Sequence, residues 1–248
     1  MKVSIITATY NSEATVQHTL DCIRRQDYPS IEHIIVDGLS RDHTLQIIHS
    51  FAHVSELISE KDEGIYDAMN KGITRASGNI IGILNSDDIY VDDSVISTVA
   101  AVFADKQVDA CYADLQYVQA ADETKVVRTW KSGPVSKRSF YYGWMPPHPT
   151  FFVRKEVYQK VGLFNTKLKS AADYEMMLRI LVKYKLKANY IPRVLVKMRT
   201  GGVSNASILH RLRANQEDRL AWKLNGLRPY FFTLYLKPIR KISQFIIK

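Results

Sequence analysis

Two adjacent carboxylates, Asp87 and Asp88, break the run "GILNSDDIYVDD" between Gly82 and Asp93, where strand-forming aliphatics give way to Asn85 and Ser86 and then to acid. Neighbouring carboxylates repel, so a fold keeps them either solvated at a turn or sharing a cation. Mg2+ or Mn2+ is typically held by one or two carboxylates plus the phosphate oxygens of a substrate, which makes the pair a candidate metal site for a phosphate-bearing ligand. Three other segments end in the same kind of chemistry. "VSIITATYN" closes on Thr9, Tyr10 and Asn11, "IEHIIVDG" on Asp37 and Gly38, and "SELISEKDEG" on Asp62, Glu63 and Gly64. Turns favour these residue types for their own sake, so each segment alone reads equally well as a plain turn. All four together point to a shared polar rim.

Such a rim needs elements to align it. Short aliphatic strands are predicted at Val3–Thr7, Ile31–Val36, Ser55–Ser59 and Asn79–Leu84, with helix-period segments between them. Val16, Leu20 and Ile23 share a face after a Ser12 cap, Leu45, Ile48 and Ala52 after Asp42, and Ile65, Met69 and Ile73 before Gly78. Alternation of this kind predicts an α/β fold, a mostly parallel sheet flanked by helices. In such sheets ligands bind beyond the carboxyl ends of the strands, where the four polar endings would meet. Further along, the sequence predicts a helix over Ser94–Ala104, strands in "DACYADLQYV" and "KVVRTW", and a loop carrying "YYGWMPPHPT". "FFV" then opens a helix stopped by Gly162, followed by a helix from Ala172 to Tyr184, strands "ANYIP" and "VLVKM", and a long polar helix from Ser207 to Asn225.

Composition narrows the function. A chain of 248 residues, 46% hydrophobic, can bury a real core. Cys22 and Cys111 make no disulfide framework and belong to no CxxC motif, so a reducing, cytoplasmic setting is expected. "VSIITATYN" is too short and too polar for a signal sequence, and no stretch reaches the roughly 20 apolar residues of a membrane span. The formal charge of +9 is not spread evenly. Residues 1–185 hold 21 Lys+Arg against 23 Asp+Glu, whereas residues 186–248 hold 13 against 2. The front part therefore carries no phosphate-coating surface, and nucleic acid is not an expected partner. Neither GxGxxG nor GxxxxGK[ST] occurs, so a nucleotide would need its diphosphate neutralised by a metal and side chains. Asp37 could accept a hydrogen bond from a base edge, and Tyr10 could stack on it.

"SIITATYN", "EHIIVDGLSRDHT", "EKDEGIYDAMNKGITRASGNIIGILNSDD" and "SAADYEMMLRI" together resemble glycosyltransferase family 2, the inverting enzymes of GT-A fold, over roughly residues 1–205. The resemblance is closest to members that build bacterial surface polysaccharides. It implies a catalytic domain at 1–205, with a nucleotide-sugar half (1–118) and an acceptor half (119–205), and a basic helical extension at 206–248. It also implies site roles. Thr7, Thr9, Tyr10, Asn11 and Asp37 would line the nucleoside pocket, Lys71 would lie near the sugar nucleotide, and Arg199 would grip the diphosphate. Asn85-Ser86-Asp87 stands at the DxD metal motif with Asp88 beside it, and Asp173 stands at the catalytic base. His148 and Glu175 are further candidates for acceptor or metal. Two departures matter: Asn85 replaces the first acid of DxD, and "VDGLS" has one carboxylate fewer than the frequent "VDDGS". On residues alone, Ser170-Ala-Ala-Asp173 also fits a capping box, His148 a loop-stiffening residue, Lys71 an exposed helix charge, Arg199 a solvated charge at a strand end and Tyr10 ordinary packing.

The expected activity is transfer of one sugar, uridine-linked by analogy, to a hydroxyl of a glycan or a polyprenyl-diphosphate-linked acceptor. The alternatives are a nucleotidyltransferase or sugar-nucleotide hydrolase, and a noncatalytic basic module. "QEDRLAW" (Gln216–Trp222) resembles the QxxRW motif of processive synthases but has Leu220 where that motif has Trp. The tail "LRPYFFTLYLKPIRKISQFIIK" puts Ile239, Ile242 and Ile246 on one helical face beside Phe245, with Lys237, Arg240, Lys241 and Lys248 around it. It fits a peripheral contact with an anionic membrane through residues 227–248, and equally a helix that packs on the catalytic domain or on a second subunit.

Overall fold

The computed structural model describes residues 1–136, 138–201, 208–240 and 244, with side chains for all of these except 208–214. The parallel half forms as the alternation predicts. β1 (Val3–Thr9) lies between β2 (Ile31–Asp37) and β4 (Ile80–Ile83), with β3 (Val54–Ser59) beside β2 at the edge, all parallel. Beyond β4 the sheet becomes mixed. β8 (Phe152–Arg154) runs antiparallel to both β4 and β6 (Ala110–Gln119), β9 (Ala188–Arg199) is parallel to β6, and β5 (Asp88–Tyr90) is antiparallel to β9. β7 (Asp122–Trp130) forms a hairpin with β6, and α5 (Lys155–Val161) follows β8. The order is β3-β2-β1-β4-β8-β6-β9-β5, and the described residues make one nine-stranded sheet.

Successive strand side chains point to opposite faces, so the aliphatic runs feed two cores. Ile6 and Ala8 of β1 pack with Ala68, Met69 and Ile73 of α3 (Ile65–Arg75) and with Tyr174 and Met177 of α6 (Ala172–Leu178). Val3 and Ile5 pack on the other side with Cys22 and Ile23 of α1 (Val16–Arg24) and Val95 and Val99 of α4 (Val95–Val102). Gly72 lets α3 close on the sheet, because a Cβ there would lie 2.4 Å from the Cγ2 of Ile6.

Several local expectations are corrected. Ser12 does not cap α1 through its side chain: the helix begins at Val16, and the Ser12 hydroxyl contacts Ser86. α2 (Thr44–His49) ends before Ala52, which is exposed, and Ile65, the first residue of α3, is 46% exposed although it shares a face with the buried Ala68 and Met69. "ANYIP" and "VLVKM" are one strand. The β6–β9 register steps from Ala113↔Ile191 to Asp114↔Val194, so exposed Pro192, which has no N–H to give a ladder, is accommodated as a bulge. α6 stops at Leu178 and continues as a wider π-helical turn over Arg179–Lys183.

The described part of the basic extension folds back. α7 (Ile208–Leu224) inserts the fully buried Trp222 against Tyr141 and Tyr174, and α8 (Thr233–Ile239) lies on the 3-10 turn Phe140–Tyr142. Lys237 is held by Asp218 at 2.7 Å and sits 3.7 Å from the ring centre of Tyr174. Ile242, Phe245, Ile246, Lys241 and Lys248, which the tail reading invoked, lie outside the described residues. No helix among those described is long and apolar enough to cross a membrane.

Candidate active site

The carboxyl ends of β1, β2 and β4 do converge. Thr9 is paired in register with Asp37, and Gly38 donates its N–H to the Thr9 carbonyl at 2.9 Å. Asp37 is fully buried yet fully satisfied: Ser40 gives it its N–H and its hydroxyl, and the Ser59 hydroxyl donates at 2.8 Å. These bonds fix the carboxylate at the sheet rim. The Tyr10 side chain is 60% exposed, and its ring passes beside Gly38, where a Cβ would lie 3.4 Å from the Tyr10 Cδ2 and 3.2 Å from an Asp62 oxygen. A glycine at 38 therefore keeps the space between Tyr10 and Asp62.

Asn85, Ser86 and Asp87 form the turn after β4, and Asp88 is the first residue of β5 rather than part of a loop. The Ser86 hydroxyl meets that of Ser12 at 2.9 Å and so ties this turn to the β1–α1 loop. Asp88 is fully buried, and neither of its carboxylate oxygens accepts a hydrogen bond of normal geometry. Burial, and then repulsion from Asp87, push the Asp88 carboxyl well above the usual range, with the Asn85 amide and the Arg199 guanidinium opposing this only in part. Burial also raises Asp87, against the pull of His148 and Arg199. The Asn85 Oδ1 and the Thr9 hydroxyl are buried without partners as well. Unpaired buried oxygens of this kind are costly unless something else satisfies them. They supply the oxygen donors that a hard divalent cation takes, although no group of three His, Cys, Asp or Glu among the described residues forms a closed metal cage.

Asp173, on α6, is linked to this pair through His148. Its Oδ1 accepts a hydrogen bond from the Tyr66 hydroxyl at 3.2 Å, and its Oδ2 lies 3.4 Å from the Nδ1 of His148. The capping-box reading fails: the Ser170 hydroxyl donates to Glu217 instead, and α6 has no side-chain cap. His148 opens a 3-10 turn (His148–Thr150) and stands between the two acidic groups, touching Asp173 and acting electrostatically on Asp87. The half-buried ring of Tyr117 on β6 feels the charges of both Asp88 and Asp173.

Other expected site residues are placed differently. Thr7 is fully buried, and its hydroxyl meets the Nε2 of His33 at 3.0 Å inside the sheet, because it lies two residues short of the strand end. Asn11 adopts a left-handed backbone (φ 48°) and braces the β2–α2 loop by accepting from the Arg41 N–H. Lys71 is held by Glu60, Asp62 and Asp67 at 2.9, 2.7 and 3.3 Å, so it anchors Asp62 rather than reaching out for a donor. Arg199 binds the Ala120 carbonyl, Glu123 and His18, and acts on the acidic pair through its charge. Glu175 is turned into the core, where Arg179 and Asn225 satisfy it, because residues two apart on a helix face different ways.

Tyr66 was missed by the sequence reading. The signal was its place inside "DEGIYDAMNKG", but periodicity drew attention to Ile65 instead. Glu217 was missed too: it accepts from the N–H groups of Lys169 and Ser170 and so fixes the approach to α6 from the C-terminal extension.

Comparisons with known proteins bear on the fold and the family. A "PGL/p-HBAD biosynthesis glycosyltransferase" of Mycobacterium tuberculosis (strain ATCC 25618 / H37Rv) is 28% identical over 210 residues, covering 83% of this chain and 80% of that protein. The S. aureus TarS 1-349 structure in complex with UDP-GlcNAc superposes with a TM-score of 0.68 at 18% identity, covering 99% of this chain and 72% of that one. The mannosyltransferase PcManGT from Pyrobaculum calidifontis, solved with GDP-Man and Mn2+, gives a TM-score of 0.68 at 20% identity, covering 98% and 70%. The fold is thus that of GT-A glycosyltransferases. With residues 4–162 matching the family pattern described as "Glycosyl transferase family 2", the chain belongs to glycosyl transferase family 2.

Proposed function

We propose that this glycosyltransferase moves one sugar, with inversion, from a uridine-linked nucleotide-sugar donor to a hydroxyl of a glycan or lipid-linked acceptor in polysaccharide or glycolipid biosynthesis. The observation that carries the reading is the presence of two unlike acidic centres linked by His148: Asp173, partly accessible and held by Tyr66, and the Asp87-Asp88 pair, in which both Asp88 oxygens are buried and unsatisfied. Asp173 is the general base. It takes the proton of an acceptor hydroxyl as that oxygen attacks the anomeric carbon, while the bond from that carbon to the β-phosphate oxygen breaks on the opposite face. One displacement inverts the centre and needs no covalent intermediate. Asp87 and Asp88, with Asn85 beside them, would hold the Mg2+ or Mn2+, which when bound offsets negative charge on the departing diphosphate. Tyr10, 60% exposed at the end of β1, receives the face of the base, and Asp37, held by Ser40 and Ser59, fixes the backbone of the β2 end beside it. The TarS complex with UDP-GlcNAc supports the uridine donor, and the PcManGT complex supports the metal.

A thermal-shift panel of nucleoside diphosphates with and without manganese tests the reading. UDP with metal is expected to raise the unfolding temperature, through binding to the native state alone, and Asp87→Ala is expected to remove the metal-dependent part. Donor turnover should need a sugar acceptor. Cleavage that uses water or phosphate only, unaffected by Asp173→Asn, would replace this reading with a hydrolase.

A further inference from the structure

A second surface stands out on the extension. Phe231 is 89% exposed, Tyr235 60% and Ile239 56%, and Tyr142 and Tyr230 stand partly out beside them. Tyr142, Tyr230 and Phe232 pack ring against ring with centres 5.3–6.2 Å apart, and Phe231 stands edge-on to Phe232 at 5.2 Å. This cluster is fixed to the core. Tyr141 packs on Tyr230 at 5.1 Å and on the buried Trp222 at 4.8 Å, and the Thr233 hydroxyl donates to the Tyr141 carbonyl at 2.6 Å. The backbone of Leu236 and Lys237 runs so close to Gly143 that a Cβ there would lie 2.6 Å from the Lys237 nitrogen.

Charge indicates what covers it. Residues 227–240, which carry the cluster, hold Arg228, Lys237 and Arg240 and no acidic side chain, and the nearest acids before them in sequence are Glu217 and Asp218. Glu217 is engaged by Lys169 and Ser170, and Asp218 by Lys237, so both acids are already matched by groups of this chain. Arg228, three residues before Phe231, is exposed, and Arg240 reaches the Tyr142 carbonyl at 3.4 Å, which sets a cation at the border of the aromatic cluster. Exposed aromatics with a polar tip, bordered by cations, match the headgroup boundary of an anionic bilayer, where rings enter the interface and basic groups meet lipid phosphates.

We propose that the segment Tyr230–Arg240 docks the protein on an anionic lipid surface, with Phe231, Tyr235 and Ile239 entering the headgroup boundary and Arg228 and Arg240 contacting its phosphates. The structure revises which residues serve. Lys237, which the helical pattern places on the polar side, is turned inward to Asp218 and Tyr174 and does not take part. The docking surface also connects to the chemistry: the Trp222 indole N–H donates to the Tyr174 hydroxyl at 2.9 Å, one residue from Asp173. The acceptor half would thus be the half that rests on lipid.

The test is sedimentation of the full chain with vesicles, which needs no donor, acceptor or metal and so fails or succeeds independently of the transfer reading. Vesicles of phosphatidylcholine with about 30% phosphatidylglycerol are compared with pure phosphatidylcholine, at low salt and at about 0.5 M salt. Wild type is expected to bind the anionic vesicles and to lose most binding in high salt. The Phe231→Ser/Tyr235→Ser double variant, whose changes lie at solvent-exposed positions, is expected to bind at least about tenfold more weakly with an unchanged unfolding temperature. A Phe231→Trp variant should retain binding. Equal binding by the double variant, or no preference for the anionic vesicles, would overturn the proposal. So would a wild-type dimer that binds no vesicle and dissociates in the double variant, which would make the surface a contact between copies of this chain.

Discussion

The two ends of the same sheet treat a carboxylate in opposite ways. At the amino end, Glu32 receives hydrogen bonds from Lys2, from the hydroxyls of Ser4 and Ser77 and from the Ser77 N–H. Partial burial alone would raise it, but these donors overcome that and bring its carboxyl down to about 2. At the carboxyl end, Asp88 is more deeply buried, has no such donors and has a second acid next to it, so its carboxyl is driven up. The first acid is finished by the protein itself. The second has no such partners among the described residues, and that difference sets the two acids apart more clearly than residue type does.

Removing the functional charges should therefore disturb chemistry, and removing the structural one should disturb folding. The largest effect is expected at Asp173→Asn, where the rate of sugar transfer should fall about 10²- to 10⁴-fold with nucleotide-induced stabilisation unchanged. Steady-state rates beside thermal shifts check this, and a similar fall in both would mean that Asp173 holds the fold instead. Next comes the pH dependence of the metal-free protein. Because the folded Asp88 carboxyl is raised, it binds its proton longer than in the unfolded chain, so stability should fall as pH is raised above about 4 toward the elevated value. The unfolding midpoint should drop across that window, and Asp88→Asn or saturating manganese should flatten the slope. Glu32 has the reverse sign. Its stabilisation is present above its usual value of 4.5 and is lost as pH falls toward about 2. Glu32→Gln should then cost about 2 kcal/mol at neutral pH, with catalysis intact in the surviving fold, as denaturation in urea followed by rate assays would show. The smallest effect is expected at Tyr66→Phe. Loss of the hydrogen bond that orients Asp173 should lower kcat about tenfold, about 1.4 kcal/mol, with KM and unfolding temperature held; an equal rise in KM would assign Tyr66 to binding.

How far the sequence could be read follows from the range of each interaction. The parallel half was legible because β1, β2, β3 and β4 are aliphatic runs and α1 and α3 carry helical periodicity, which are local signals. The mixed half was not: β5 is three residues long, and Pro192 made β9 look like two strands, since a bulge is permitted by the partner strand and not by its own residues. At the site, the acidic endings could be foreseen from type and position, and the family resemblance pointed to Asp173. Glu175 and Lys71 could not be told from functional residues, because each is occupied by a partner or partners that only the folded chain brings near, Arg179 and Asn225 for one and Glu60 and Asp62 among others for the other.

By itself, then, the sequence determined an α/β sheet, the polar rim at its carboxyl edge and the concentration of positive charge in the last quarter of the chain, all of which depend on periodicity, turn chemistry and composition. Tertiary structure alone decided which carboxylates remain unsatisfied, that Tyr66 and His148 flank Asp173, and that the extension turns Lys237 inward while leaving Phe231 outside. The reason is physical: desolvation and hydrogen-bond satisfaction are sums over neighbours distant in sequence, and no local pattern of residues encodes a sum taken across the fold.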